Sequence, residues 1–159
     1  MPEAILLGDT ESLATRAGNT GVLGLWYWEM RGGTVAGQTP VDGIVFSGTA
    51  GADVADGGAL GDLFRGGPGN DTLRGNDGAD WLYGEDGADT LNGGSGDDFI
   101  FGGRSEDDLR DVIFGGDGND QIDAGYGNDL VYGGAGNDTI VGAQDDALLD
   151  GVSGNDWLQ

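Results

Sequence analysis

The chain contains no cysteine, no histidine and no lysine. Without cysteine there is neither a disulfide framework nor a thiolate metal site. Without histidine there is no H-E-x-x-H zinc motif, no Ser-His-Asp triad and no imidazole ligand. No G-x-S-x-G elbow occurs either. Catalysis has almost nothing to work with, so the expectation is that this chain is not an enzyme, although a parent protein could be one. The basic residues are Arg16, Arg31, Arg65, Arg74, Arg104 and Arg110, set against 29 acidic ones for a formal charge of −23. That sign excludes nucleic acid as a partner, because phosphate binding needs a cationic surface. No apolar run approaches the length of a membrane span. The start, MPEAILLGD, lacks the basic region and apolar core of a cleaved signal peptide.

What is present is acid and glycine, 36 glycines in 159 residues. Such acidity fits either disorder or divalent-cation binding, and composition alone does not choose. Periodicity does. Laid out in nines from Gly48, the rows read GTAGADVAD, GGALGDLFR, GGPGNDTLR, GNDGADWLY, GEDGADTLN and GGSGDDFIF, then a longer GGRSEDDLRDVIF. GGDGNDQID, AGYGNDLVY, GGAGNDTIV, GAQDDALLD and GVSGNDWLQ follow. Twelve rows thus cover residues 48–159, with a four-residue insertion in 102–114. The sixth column holds Asp53, Asp62, Asp71, Asp80, Asp89, Asp98, Asp111, Asp120, Asp129, Asp138 and Asp156, and only Ala147 breaks it. The eighth column is apolar throughout, from Ala55, Phe64 and Leu73 to Leu149 and Leu158. A disordered acidic tail has no reason to keep an apolar residue at every ninth place through an insertion. Disorder is the state expected without a cation.

The last three residues of each row are predicted to form a strand, with the eighth residue inward and the seventh and ninth outward. The first six form a turn. Two rows make a coil of eighteen residues, so alternate rows stack and neighbouring strands lie roughly 4.8 Å apart. The aspartates then line two edges. One carries Asp62, Asp80, Asp98, Asp120, Asp138 and Asp156; the other carries Asp53, Asp71, Asp89, Asp111 and Asp129. Carboxylates stacked at such spacing repel unless something intervenes. A hard cation wanting six to eight oxygen ligands suits them. Aspartate also suits plain turns. Asparagine would serve a turn equally, yet it fills the fifth column at 70, 119, 128, 137 and 155 and never the sixth.

The rows resemble the RTX (repeats-in-toxin, haemolysin-type) nonapeptide G-G-x-G-x-D-x-U-x, a Ca²⁺-binding repeat. Rows 66–74, 93–101, 115–123 and 133–141 fit it in full. The resemblance implies an all-β parallel β-roll, a right-handed two-sheet solenoid with eighteen residues per coil, holding Ca²⁺ between stacked turns. First and third carbonyls of a turn would face one ion; second and fourth, with the sixth-column Asp, would face the next. Carried onto this sequence, the carbonyl donors are those of Gly66, Gly67, Pro68 and Gly69; Gly75 and Gly78; Gly84 and Gly87; and Gly93, Gly94, Ser95 and Gly96. Those of Gly115, Gly116, Asp117, Gly118, Gly133, Gly134, Ala135 and Gly136 complete the set. The intervals between stacked turns allow at most ten sites, with about six to ten ions expected. The insertion blurs the sites flanking Asp111. Row 142–150 spoils the interval after Asp129 unless Asp145 or Asp146 substitutes.

Outward columns place Trp81, Tyr83, Phe99 and Phe101 together on one sheet, with Leu63 beside them and Trp157 near the far end. Such a patch is too apolar to leave in water unexplained. Either residues 1–47 cover it, with Val22–Trp28 as a packing strand, or it is a surface for carbohydrate or another partner. Residues 1–47 are read as an N-terminal capping segment with possible short strands at Ile5–Leu7 and Val22–Trp28. Ile44–Phe46 lies in register for a further, turnless strand. Asn70-Asp71-Thr72 and Asn137-Asp138-Thr139 match the glycosylation pattern but fall in the turns, and are read as coincidence. RTX-like chains normally continue past the repeats into a capping segment and a type I secretion signal. With Gln159 inside the last row, a larger secreted, extracellular parent is expected. The leading functional expectation is therefore a non-catalytic Ca²⁺-binding module that folds on export into Ca²⁺. The alternative is an accessory carbohydrate-binding module of a secreted polysaccharide enzyme, as in mannuronan epimerases. Ca²⁺-bridged self-association is a further possibility.

Overall fold

The computed structural model describes residues 43–103, 105–142 and 148–159. Readings that fall on 1–42, Arg104 and 143–147, including the strands at 5–7 and 22–28 and a substitute ligand at Asp145 or Asp146, lie outside the described residues. Within them the chain runs through thirteen strands and no helix: β1 (Val45–Ser47), β2 (Val54–Asp56), β3 (Leu63–Arg65), β4 (Thr72–Asp77), β5 (Trp81–Tyr83), β6 (Thr90–Ser95), β7 (Phe99–Gly103), β8 (Val112–Asp117), β9 (Gln121–Gly125), β10 (Leu130–Ala135), β11 (Thr139–Val141), β12 (Leu148–Ser153) and β13 (Trp157–Leu158). Odd strands form one parallel sheet and even strands the other. This is a two-sheet β-solenoid with eighteen residues per coil.

The register follows the nonapeptide count. Leu73 pairs with Leu91 at a separation of eighteen, and Leu91 with Ile113 at twenty-two, so the four extra residues leave the ladder without shifting it. The expected turnless strand is present as β1, where Phe46 lies opposite Phe64.

The eighth column forms the core as far as Ile140; Leu149 is half-buried against it, and Leu158 in the last strand is exposed. Ala55, Phe64, Leu73, Leu82, Leu91, Ile100, Ile113, Ile122, Val131 and Ile140 are all buried, as is Phe46 ahead of them. Each large side chain contributes roughly 1.5–3 kcal/mol by leaving water. Each sheet contributes one file of these residues, so the core is a narrow seam of two facing files, joined by Ile44 and Ala124. In the even sheet, strands such as β6 and β8 continue into the first three turn residues, with Gly94 opposite Gly116 and Ser95 opposite Asp117. The turn itself is therefore partly ladder, which brings backbone carbonyls of successive coils into close stacking.

Candidate metal centres

Stacking brings the sixth-column aspartates into two buried files. Asp80, Asp98 and Asp111 are fully buried, and Asp62, Asp71, Asp89, Asp120, Asp129 and Asp138 nearly so. Asp53 and Asp156, at the ends of their files, are half-buried. Burying carboxylates is costly unless each oxygen is matched. One oxygen is matched from Asp62 to Asp156: the amides of Asp53, Asp62, Asp71, Asp80, Asp89, Asp98, Asp111, Asp120 and Asp138 each donate to Oδ1 of the counterpart one coil further on, and Ile44 N donates to Asp62 Oδ1. Asp62 N reaches Asp80 Oδ1 at 2.7 Å, Asp80 N reaches Asp98 Oδ1 at 2.8 Å, and Asp89 N reaches Asp111 Oδ1 at 2.8 Å.

The second oxygen divides the molecule. In the first coil it is capped within its own turn, by Thr49 N on Asp53 Oδ2 at 2.6 Å and by Gly58 N on Asp62 Oδ2 at 2.9 Å. From Asp71 onward the pattern changes. Oδ2 of Asp71, Asp80, Asp89, Asp98, Asp111, Asp120 and Asp138 is buried with no hydrogen-bond donor. Backbone conformation changes at the same place. The second and fourth turn positions become left-handed at Gly67 (φ 96°) and Gly69 (φ 147°) and stay so in the later described turns except the one carrying the insertion, where Gly103 and Leu109 are not; neither Gly58 nor Leu60 is left-handed. A left-handed second residue rotates the peptide, so its amide no longer meets the carboxylate. Asn76 and Glu85 accept that conformation at φ 76° and 80°, and Val152 does so at 67°, where a β-branched side chain strains it. The first-column glycine leaves the space that Oδ2 occupies; a Cβ on Gly75 would collide with Asp80 Oδ2, and one on Gly115 with Asp120 Oδ2.

Electrostatics record the mismatch. Desolvation, opposed by the stacked amide and reinforced by neighbouring carboxylates, pushes Asp89 and Asp98 up to about 6, and Asp80 and Asp120 up to about 7. Asp111, most enclosed, is pushed up to about 8 by desolvation first and then by Asp108, Asp89 and Asp129. Asp62, with two backbone donors, is raised by burial. No three acidic side chains among the described residues converge on one point. A cation here would take most of its oxygens from the backbone and one or two from carboxylates. Seven donorless carboxylate oxygens beside stacked turn carbonyls fit Ca²⁺, which accepts carbonyls and carboxylates together.

One residue escaped sequence reasoning. Asp108, in the insertion, is 6 % exposed and its Oδ2 also lacks a donor. The signal was available: Gly103 to Asp108 repeats the five-residue step from first-column glycine to sixth-column aspartate. The aromatic residues fall together as expected, with Trp81 stacked on Phe99 at 4.7 Å and Tyr83 on Phe101 at 5.0 Å between ring centroids. Arg65 lies 4.5 Å over the Tyr83 ring.

No curated protein matches the chain. The family model of the RTX calcium-binding nonapeptide repeat matches in four copies, at residues 45–73, 56–91, 74–109 and 107–140, together more than half of the sequence. Repeats of this type bind Ca²⁺, and their β-roll is a non-catalytic structural module. The chain belongs to the RTX calcium-binding nonapeptide repeat family.

Proposed function

We propose that this chain is the Ca²⁺-binding β-roll of a larger exported bacterial protein, disordered where Ca²⁺ is scarce and folded where it is abundant. The observation that carries this reading is the set of buried Oδ2 atoms without donors on Asp71, Asp80, Asp89, Asp98, Asp111, Asp120 and Asp138, spread over both files. In this reading 48–159 is the binding module and 1–47 a capping segment. Stacked unit charges roughly 5 Å apart repel by about 3 kcal/mol per pair at an effective dielectric near 20. So narrow a core is a poor match for several such pairs. Ca²⁺ between the turns reverses the sign of each interaction, and binding free energy becomes folding free energy.

The residues that would hold the ions are Asp71, Asp80, Asp89, Asp98, Asp111, Asp120, Asp129, Asp138 and Asp156, with the carbonyls of the turns around them. Asp53 and Asp62 begin the two files. When bound, Ca²⁺ supplies charge neutralisation and a fixed set of oxygen contacts; it supplies no reaction. The chain's own residues do the rest. Left-handed glycines turn their carbonyls toward the gap, the stacked amides hold each Oδ1, and the eighth-column side chains keep the coils in register. A Ca²⁺ titration followed by circular dichroism tests this. A β-sheet spectrum should appear only as Ca²⁺ reaches the millimolar range; the same spectrum in chelator, unchanged by Ca²⁺, would refute it.

A second reading rests on the aromatic ladder. Trp81 is 44 % exposed beside Phe99, and a groove of about 330 Å³ is lined by Arg65, Tyr83, Glu85, Phe101 and Ser105. Stacked rings beside an arginine suit sugar rings, so this face would make the roll an accessory carbohydrate module. Against an anionic polymer stands the net charge, unless Ca²⁺ bridges the two. Binding of alginate or a neutral glycan that Trp81→Ala abolishes would establish it, and unchanged binding would remove it.

A further inference from the structure

The insertion in row 102–114 is more than an interruption. Its placement follows from the ladder. Gly103 pairs with Gly125, the second residue of the next turn on that edge. Leu109 N donates to Gly87 O at 2.8 Å, and a Cβ on Gly127 would collide with Leu109 O, so Leu109 fills the fourth position. The chain between Gly103 and Leu109 thus stands in place of one third-position residue. That position ordinarily offers a backbone carbonyl to the gap between turns. Here it is replaced by an excursion that returns a carboxylate.

That carboxylate is deliberately held. Asp108 N closes a turn on Ser105 O at 3.2 Å, and Ser105 Oγ is tied to Asp86 Oδ1 at 2.5 Å. Among the described residues Asp108 Oδ1 accepts from the adjacent Leu109 amide at 3.0 Å, while Oδ2 is buried without a donor. Gly103 makes room for it, since a Cβ there would collide with Asp108 Oδ2. The charges facing it come from all three stacked turns: Asp86 and Asp89 on one side, Asp129 on the other, and Asp111 in its own turn. Arg110 lies on the same loop but is exposed, and no ion pair between it and Asp108 is formed. A carboxylate buried beside Asp89, Asp111 and Asp129, with half-buried Asp86 nearby and with one oxygen free of donors, is the reverse of what a plain loop would choose.

We propose that the insertion builds a divalent-cation site of its own on the Asp89–Asp111–Asp129 edge, with Asp108 as its additional carboxylate ligand. The inference rests on the Ca²⁺-binding reading and adds to it a ligand outside the nonapeptide columns. Two carboxylates in place of one carboxylate and a carbonyl give this site a higher negative charge than its neighbours, which favours a hard divalent cation more strongly.

The test is isothermal titration of Ca²⁺ into the full chain and into two variants, with folding checked by circular dichroism. Asp108→Asn keeps the shape and the Leu109 hydrogen bond but removes the charge. Asp107→Asn makes the same charge change at the exposed neighbouring position. Asp108→Asn should bind one ion fewer per chain, or hold that ion at least tenfold more weakly, while Asp107→Asn should match the parent. Equal count and affinity in Asp108→Asn overturn the proposal and leave the roll's other sites standing. An Asp108→Asn chain unfolded at every Ca²⁺ concentration overturns it too, because losing one ion of several leaves the rest to hold the coils; Asp108 would then be a packing residue. A parent chain that binds no Ca²⁺ at all defeats the underlying reading, and is told apart by its own flat titration.

Discussion

The first coil and the coils that follow share a register and a core, yet they treat the same aspartate differently. Asp53 and Asp62 each receive a backbone donor on Oδ2 from their own turn, whereas Asp71, Asp80, Asp89, Asp98, Asp111, Asp120 and Asp138 leave Oδ2 bare. The cause is conformational: left-handed second and fourth positions begin only at Gly67 and Gly69. A turn with ordinary φ caps its own carboxylate and is complete. A turn with alternating left-handed residues rotates the amide away, brings carbonyls toward the gap and is complete only with a cation. One motif letter thus has two structural meanings, set by its neighbours' backbone.

The broadest way to break this comparison is acid. A carboxyl whose folded-state pKa is raised holds its proton more tightly in the roll than in the unfolded chain, where the value is about 3.9. Its support for the metal-free fold is fully present below that value and is lost as pH rises through the folded one. That is about 6 for Asp89 and Asp98, about 7 for Asp80 and Asp120, and about 8 for Asp111. In chelator, β-sheet signal should therefore grow from pH 8 toward pH 4.5. In excess Ca²⁺ the dependence should reverse, because protons compete with the ion. A metal-free spectrum that ignores pH would contradict the account.

Next come single carboxylates. Asp98→Asn, in the middle of a file, should cost about 3–5 kcal/mol in urea unfolding at millimolar Ca²⁺, as expected when one partner of a buried charged contact is removed. Asp53→Asn in the self-capped turn should cost under about 1 kcal/mol. Equal costs would erase the distinction between the regions. Glycines give a smaller pair. Gly96 (φ 130°) has no room for a Cβ against Gly78, so Gly96→Ala should cost about 3 kcal/mol through left-handed strain and overpacking. Gly51 faces open space with ordinary φ, and Gly51→Ala should be neutral or stabilising by about 0.5 kcal/mol. A modest effect of the opposite sign lies at the far end, where Val152→Gly should stabilise by about 1 kcal/mol by relieving φ 67°. Thermal melts in Ca²⁺ resolve these.

Strand positions, register and core were legible because a nine-residue period fixes all three at once. Leu82 could face nowhere but inward once Trp81 and Tyr83 faced out. The two aspartate files were legible for the same reason. What the period hides is anything that depends on peptide orientation. GTAGAD and GGPGND look alike as strings, but Thr49 turns its amide to Asp53 while Gly67 turns its own away from Asp71. Asp108 was hidden because it sits off column, although its spacing from Gly103 marks it. The extension of β4, β6, β8, β10 and β12 into their turns was also beyond the pattern, since backbone pairing of glycines leaves no side-chain signature.

The central claim is that the bare oxygens belong to calcium. Counting ions bound to the folded chain by native mass spectrometry tests it most directly. About six to ten Ca²⁺ per chain, lost together with the β-sheet signal in chelator, is the result expected; a folded chain that carries none would contradict it.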